Sequence, residues 1–434
     1  MGDGAAPTPG TPRLLRALND RAALELLLSH GPLTRARLVQ LTGLSKPTAS
    51  QLLARLESTG LVRAAGTDEG GRGPNAQLYA VNGGAGLVAG VDMTPRRASV
   101  RLVDLAGTIR AEVDVDLGPD AGTDDRAPAE DLRRALAATQ DVTGAVGSGT
   151  AAPDSVVVGV QGVYDRNLDA LAYAGHLPGW SRPGLLPALE RAAGCPVAVE
   201  NDVNLAAVAE QAGRPAAPPA GCEALLWMGD GLGLAIHLGG VLHRGATCGA
   251  GEIGDMHVSA GPVGAAPGPA TVALQDLVGG PAVLRLARAH GLRARTASAA
   301  VERAVVAVNE RPGNGGPTAS SGEGFLRELA DRVAVGLATI VAVLDPELVV
   351  LSGPVGRAGA DRLPGLVAEA LYTMSPMRPQ VRASSVAGNP VLAGACALAL
   401  GGLRDALFST TTTRGTTTTD ARPANPARAT GVAR

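Results

Sequence analysis

Aromatic side chains are scarce, with two Phe, two Trp and four Tyr among 434 residues, so no cofactor can be argued from stacking. Cysteine is sparse as well. Cys195, Cys222, Cys248 and Cys396 stand far apart with no Cys-x-x-Cys or Cys-x-Cys spacing, which argues against a disulfide framework and a zinc cluster and fits a reducing compartment. Lysine occurs once, as Lys46, against 37 arginines, a bias of coding composition rather than of function. The opening MGDGAAPTPGTP lacks the apolar stretch of a signal peptide, and no apolar run of membrane-spanning length is free of Gly, Pro or charge. The chain therefore reads as cytoplasmic, with no membrane partner. A net charge of -2 points to no partner by itself, but its distribution is uneven. Residues 1–82 hold nine Lys and Arg against six Asp and Glu while the remainder holds 29 against 34, so the basic surplus lies at the N-terminus.

A chain of this length with 45% hydrophobic residues can build two or three cores. A Pro/Gly/Ala leader (1–12) and a Thr-rich tail (409–434) carry too little apolar surface to order themselves. Arg311–Gly324 reads as a flexible surface loop and Gly118–Arg126 as another variable stretch. Leu14, Leu18, Leu24, Leu27 and Leu28 give a first helix over 13–30, stopped by Gly31-Pro32. Thr34 can cap a short second helix, the turn Thr42-Gly43-Leu44 follows, and Ser45 can cap a third helix that tolerates Pro47 in its first turn and ends at Gly60. Ala49, Leu52, Leu53 and Leu56 share one face of that helix, which leaves Lys46, Ser50, Gln51 and Arg55 on the other. Leu61–Ala65 and Gln77–Val81 then read as strands flanking a glycine-rich hairpin tip that carries Arg72.

Three helices with a tight turn and then a basic hairpin, over 13–82, make a winged helix-turn-helix. Helix three supplies base and phosphate contacts and the wing arginine enters a minor groove. The candidate DNA contacts are Ser45, Lys46, Thr48, Ser50, Gln51, Arg55 and Arg72. A small helical interaction domain with a solvated hairpin is the plainer alternative. The placement of the only lysine at the start of helix three favours DNA. Further along, Val156–Val160, Val197–Val199 and Leu348–Leu351 are short buried strands of two α/β lobes. Asp202 follows the end of one such strand, where open α/β sheets bind ligands; capping the helix that begins at Val203 is the plainer reading and compatible with it, and Asn201-Asp202 within END favours ligand contact.

The segment Asn19–Val81, with its run GPLTRARLVQLTGLSKPTASQLLARLESTGLV, resembles the winged helix-turn-helix of ROK-family repressors (repressor, open reading frame, kinase). GLVAGVDM (Gly86–Met93), LPGW (Leu177–Trp180), ENDVN (Glu200–Asn204), GDGLG (Gly229–Gly233), GEIGD (Gly251–Asp255) and LDPELVVLSGPVG (Leu344–Gly356) match successive motifs of that family in order. The resemblance implies an actin-like, sugar-kinase-like (ribonuclease H-like) domain of two lobes over 83–405, with Asp202 at the position of the kinases' catalytic base. It also implies a departure from kinase chemistry. The family's Asp-x-Gly-Gly-Thr loop reads Asp92-Met93-Thr94-Pro95-Arg96 here, and its Gly-Thr-Gly loop reads Gly229-Asp230-Gly231, which sets a carboxylate where phosphates lie. The zinc-binding cysteine cluster is replaced by SAGPVGAAPGPAT, so no metal and no cofactor are expected.

At the family's sugar-contacting Asn and His positions the chain has His176 and Asp255, expected to form a charge-assisted pair. Asn201, Asp202 and Glu252 are the remaining polyol contacts, and His257 is a surface or packing histidine. The reading is a homodimeric or homotetrameric repressor of carbohydrate-related genes on a palindromic operator, with a sugar or sugar phosphate as effector. A sugar kinase with an appended regulatory domain and a ligand-blind regulator are the alternatives.

Overall fold

A computed structural model describes residues 12–68, 76–118, 127–144, 152–172, 174, 177–214, 221–259, 271–309 and 317–410. They fall into two compact units, one comprising the chain up to Ala85 and from Gly402 onward, the other Gly86–Gly401. The leader before Pro12, the tail beyond Thr410, the hairpin tip with Arg72, the stretch 119–126 and His176 lie outside the described residues.

In the first unit α1 (Pro12–His30), β1 (Leu33–Thr34), α2 (Arg35–Thr42), α3 (Lys46–Ser58), β2 (Val62–Asp68) and β3 (Ala76–Val81) follow in order. The local chemistry accounts for each boundary. Thr34 caps α2 by accepting from the Arg37 amide, and Gly43 ends it at φ +70°, a left-handed conformation that costs glycine nothing. Ser45 caps α3 by accepting from the Thr48 amide, with proline in the first turn. The three strands pair in the order β1-β3-β2. The two-residue β1, too short for any periodicity to reveal, pairs Leu33 with Tyr79 and so closes the sheet against the helices. Leu24, Leu27, Leu38, Leu52, Leu53 and Leu56 are buried and form the core.

The second unit contains two five-stranded sheets. The first is built from β4 (Leu87–Met93), β5 (Arg97–Asp104), β6 (Ile109–Asp116), β7 (Ser155–Val160) and β10 (Val197–Asn201), with α4 (Pro128–Gly144) and α5 (Leu185–Ala193). The short hairpin β8 (Val163–Asp165) and β9 (Ala170–Ala172) lies between β7 and α5 in the chain. After α6 (Asp202–Ala212) come β11 (Cys222–Met228), β12 (Leu232–Leu238), β13 (Val241–Leu242), β14 (His257–Ser259) and β15 (Thr271–Ala273). Helices α7 (Leu274–Val278), α8 (Gly280–Ala289), α9 (Ala297–Asn309) and α10 (Pro317–Leu344) follow, then β16 (Leu348–Ser352), α11 (Gly353–Ala358), α12 (Arg362–Met374), β17 (Gln380–Ala383) and α13 (Pro390–Thr410), whose residues from Gly402 are assigned to the first unit.

The sheet orders are β10-β7-β4-β5-β6 and β13-β12-β11-β16-β17. Each is thus an antiparallel three-strand meander extended by two parallel strands, one plan used twice. The valine-rich β7, β10 and β16 fall where the sequence places them. On the edge strand β6, Ala111, Val113 and Val115 alternate with Glu112, Asp114 and Asp116, which are exposed.

The segment expected to be a loop up to Gly324 is corrected by the structure, because residues from Pro317 already belong to the long helix α10. The buried Phe325, Leu326 and Leu329 pull the helix into the core. The glycines that suggested a loop serve packing: a Cβ on Gly322 would meet the Ala304 carbonyl at 3.1 Å, and one on Gly324 the His290 ring at 3.2 Å. Helix α13 is long and apolar enough to cross a membrane by length and composition. Val391, Leu392, Ala395, Cys396, Ala399 and Leu400 on it are buried, as expected of a core helix.

Candidate functional site

In the first unit, the buried face Ala49, Leu52, Leu53 and Leu56 fixes the rotation of α3 and leaves Lys46, Thr48 and Gln51 exposed, with Ser45 exposed at the cap. Ser50 is half-buried and held from two sides, donating to the Lys46 carbonyl at 3.0 Å and accepting from the Arg35 guanidinium at 3.0 Å. The cation of Arg35 therefore stands beside the start of α3, a contribution that sequence reasoning missed. The signal was present, since Arg35 and Arg37 directly follow the Thr34 cap.

Arg55 corrects the reading of α3. It was expected on the open face, but its guanidinium grips the carboxylate of Asp20 on α1 through Nε at 2.9 Å and Nη2 at 2.5 Å. Asp20 is buried and needs a cation, and the long arginine stem reaches it from the edge of the helix. That fork holds the Arg55 guanidinium above its ordinary pKa, against the opposing effect of burial.

In the second unit, β10 delivers the chain from the first sheet into α6. Val203, Ala206 and Ala207 of α6 pack against Leu225, Ala235 and Val350 of the second sheet. The β10–α6 junction thus lies between the two lobes. Asn201 supplies the cap: its Oδ1 accepts from the amides of Val203 at 2.9 Å and Asn204 at 3.1 Å, and its Nδ2 donates to the Gly162 carbonyl at 3.2 Å. Asp202 is buried, and its carboxylate accepts from the Val203 amide at 2.9 Å. Burial pushes its pKa up to about 7, the charges of Asp92 and Glu252 add to the rise, and the Val203 hydrogen bond opposes it.

Asn201, Asp202 and Glu252 all line one cleft of about 430 Å³, together with Gln161, Asn204 and Asp230. Three of the predicted effector residues are therefore brought together. Asp255 is not among the residues lining the cleft, and is exposed on the turn before β14. Its charge is felt at Glu252, whose carboxyl is raised first by desolvation and then by Asp255. The expected pairing of Asp255 with His176 has one partner outside the described residues. His257 is exposed, its Nδ1 3.1 Å from the Asp255 carbonyl. None of the described residues lining the cleft is Lys, Arg or His.

The loop that carries Cys248 and Glu252 is held by close backbone contact. Gly251 sits at φ +98°, and a Cβ there would fall 1.7 Å from the Leu234 carbonyl, so only glycine fits. The two stretches aligned with nucleotide loops are closed on themselves. The Thr94 amide donates to the Arg97 carbonyl at 2.9 Å and the Arg97 amide to Thr94 Oγ1 at 3.1 Å, while Pro95 has no N–H. In the other, Gln275 clasps the turn by donating to the Asp230 carbonyl at 2.7 Å and accepting from the Leu232 amide at 2.9 Å.

The model of the ROK family matches residues 88–401. The chain belongs to the ROK family. Ahead of the ROK domain, residues 17–73 match the MarR family, which agrees with the winged helix-turn-helix observed there. A putative xylose repressor from Caldicellulosiruptor sp. (strain Rt8B.4) is 28% identical over 256 residues, 57% of this chain and 61% of that protein. The chain thus spans about three fifths of that relative. Among solved structures, a ROK family transcriptional regulator, a homologue of the E. coli MLC protein, superposes with a TM-score of 0.65 at 17% identity, covering 92% of this chain and 100% of that one. The ROK hexokinase from Thermus thermophilus does so with a TM-score of 0.55 at 25% identity over 74% of this chain and 99% of its own. The sugar-kinase-like fold and the winged helix ahead of it are thereby established.

Proposed function

We propose that this ROK protein is a DNA-binding transcriptional regulator, a repressor of carbohydrate-related genes, whose kinase-like domain senses a polyol instead of phosphorylating it. The observation that carries this reading is the capped α3 with Lys46, Thr48 and Gln51 exposed, in a chain whose larger part is a ROK domain. Ser45, Lys46, Thr48, Ser50 and Gln51, with Arg72 of the wing, face the duplex, and Arg35 adds a phosphate contact through its place beside Ser50. Two copies on a two-fold axis read a palindrome, in the cytoplasm where DNA is found. Asn201, Asp202 and Glu252 hold sugar hydroxyls, and the ligand shifts the equilibrium between DNA-binding and released arrangements.

The test is selection of a binding site from random duplexes, followed by gel shifts with and without sugars. Enrichment of a palindrome, weakened by at least one sugar, is expected, and failure to enrich any sequence rejects the assignment. One observation favours a second reading: a carboxyl poised near neutrality at a strand end, as in Asp202, suits a general base in phosphoryl transfer. Against it stand the Asp230 carboxylate and the absence of Lys, Arg or His among the described residues of the cleft wall, which offer no side-chain cation to a triphosphate. ATP turnover with a panel of hexoses decides between them. No turnover above background is expected, and turnover abolished by Asp202→Asn establishes the kinase.

A further inference from the structure

A second cleft of about 400 Å³ opens along β10, walled by Val163, Tyr164, Leu186, Val199, Glu200 and Arg244. It adjoins the first, since Asn201 and Cys248 belong to both walls. We propose that the effector is a neutral saccharide of two linked rings, one ring held by Asn201, Asp202 and Glu252 and the next lying in this adjoining cleft. The inference rests on the sensor reading above and names the class of molecule sensed.

Size is the first argument. A hexose displaces roughly six waters, or about 180 Å³ at about 30 Å³ per water, so either cleft takes one ring and neither is filled by it. Chemistry is the second. Tyr164, Leu186 and Val199 offer apolar surface to the C–H face of a ring. The polar edge beside them is built and held: Glu200 accepts from Asn204 Nδ2 at 2.9 Å and from Arg244 Nε at 2.6 Å, with Glu200 11% and Arg244 33% exposed. That bond engages one nitrogen of the guanidinium, whose two terminal nitrogens carry further N–H donors for ring hydroxyls.

Charge is the third argument. Glu200 neutralises Arg244 at contact distance, and the first cleft carries Asp230 and Glu252 beside Asp202, so a phosphate or carboxylate on the ligand meets repulsion at one end, while the buried cation among the described residues at the other is already paired. Arg166 stands exposed at the rim of the second cleft, where its charge is screened by solvent. The position shared by the two clefts is rigid as well, because both ends of the Asn201 amide are engaged in the α6 cap and the Gly162 contact. A linkage between two rings therefore passes a fixed point, which suits recognition of one glycosidic geometry.

Trp227 lines the first cleft, so intrinsic fluorescence of the full chain reports binding there. The probes are glucose, xylose, N-acetylglucosamine, maltose, cellobiose, xylobiose, sucrose and glucose 6-phosphate, titrated against the native chain and an Ala198→Trp variant. Ala198 is exposed on β10 in the wall of the second cleft only, so the larger side chain fills that cleft without entering the core. The expected result is a disaccharide that binds at least tenfold tighter than its component monosaccharide. Ala198→Trp should abolish that gain while leaving the monosaccharide Kd within twofold. Monosaccharides that bind with no disaccharide tighter overturn the proposal and leave the sensor reading standing, as does a gain that survives the variant. Tightest binding of glucose 6-phosphate overturns the neutral ligand. If no sugar binds at all, the sensor reading falls and this proposal with it.

Discussion

Replacing Arg55 by alanine separates an architectural arginine from a DNA contact. Its partner Asp20 is 2% exposed while Arg55 keeps 33% of its side chain in water. Removing the arginine strands a buried carboxylate. Breaking a buried pair in this way costs about 3–5 kcal/mol, and with one partner partly hydrated the loss should lie near the lower end, about 3 kcal/mol. For a unit of this size that corresponds to a fall in Tm of roughly 12–24 °C. Replacing Asp20 and Arg55 together by leucine should regain most of the loss, since no unpaired charge remains inside. The assay is denaturant unfolding of the three proteins, combined with gel shifts over a range of salt at a temperature where each is folded. A lost phosphate contact lowers the slope of log K against log salt by about 0.9. Arg55→Ala is expected to move the unfolding midpoint and leave that slope unchanged. An unmoved midpoint with a slope reduced by about one unit would refute the reasoning and return Arg55 to the DNA face.

Lys46→Ala should show the opposite pattern, an unchanged midpoint with a salt slope reduced by about 0.9, read in the same gel shifts. Asp202 gives a pH signature. Its carboxyl is raised from an ordinary value near 3.8 to about 7 in the folded chain, so the folded state holds a proton that the unfolded state releases between those values. Stability of the second unit should therefore decline as pH rises from about 4 to about 7, by about 4 kcal/mol in all. Asp202→Asn should remove that decline, making the variant more stable than the native chain at pH 8 and little different at pH 4.5 in urea unfolding. Gly251→Ala should destabilise the second unit by several kcal/mol and abolish sugar binding, because the Leu234 carbonyl lies where the new methyl must go. Unaltered unfolding of that variant would show that the loop is not held as described.

The parts of the fold legible in the sequence were those set by neighbouring residues. Thr34, Gly43 and Ser45 act within three or four residues of themselves, so the first unit's helices could be placed by their caps. Runs such as Val156–Val160 are apolar enough to be strands in any context. Asp20 and Arg55, by contrast, are 35 positions apart, and no helical period reports that an arginine at the edge of one helix answers a carboxylate buried under another. The early residues of α10 look like a loop until the close approach of Ala304 on α9 and of His290 after α8 explains their glycines.

The cleft was legible in part for the same reason. Asn201, Asp202 and Glu252 converge because a strand end and a loop meet there, and the END and GEIG motifs mark both. The capping role, however, falls to Asn201 rather than Asp202, whose carboxylate has the Val203 amide to set against its burial. Asp255 lies outside the wall because its turn carries it toward solvent. Arg35 was missed because its relation to Ser50 exists only once α2 and α3 pack.

The alternating carboxylates of β6 bear on how copies of this protein can meet. Among the described residues β6 is an edge strand of eight residues, a position that invites a second sheet to join. An antiparallel twin of β6 centred on Asp114 would set Asp114 opposite its own counterpart and Glu112 opposite Asp116, with Glu112 already engaged by Arg101 at 2.8 Å. Like charges facing across a new ladder repel one another. Self-association by lengthening this sheet in that register is thereby disfavoured. An assembly that presents two winged helices to one stretch of DNA would then be better held by other surfaces.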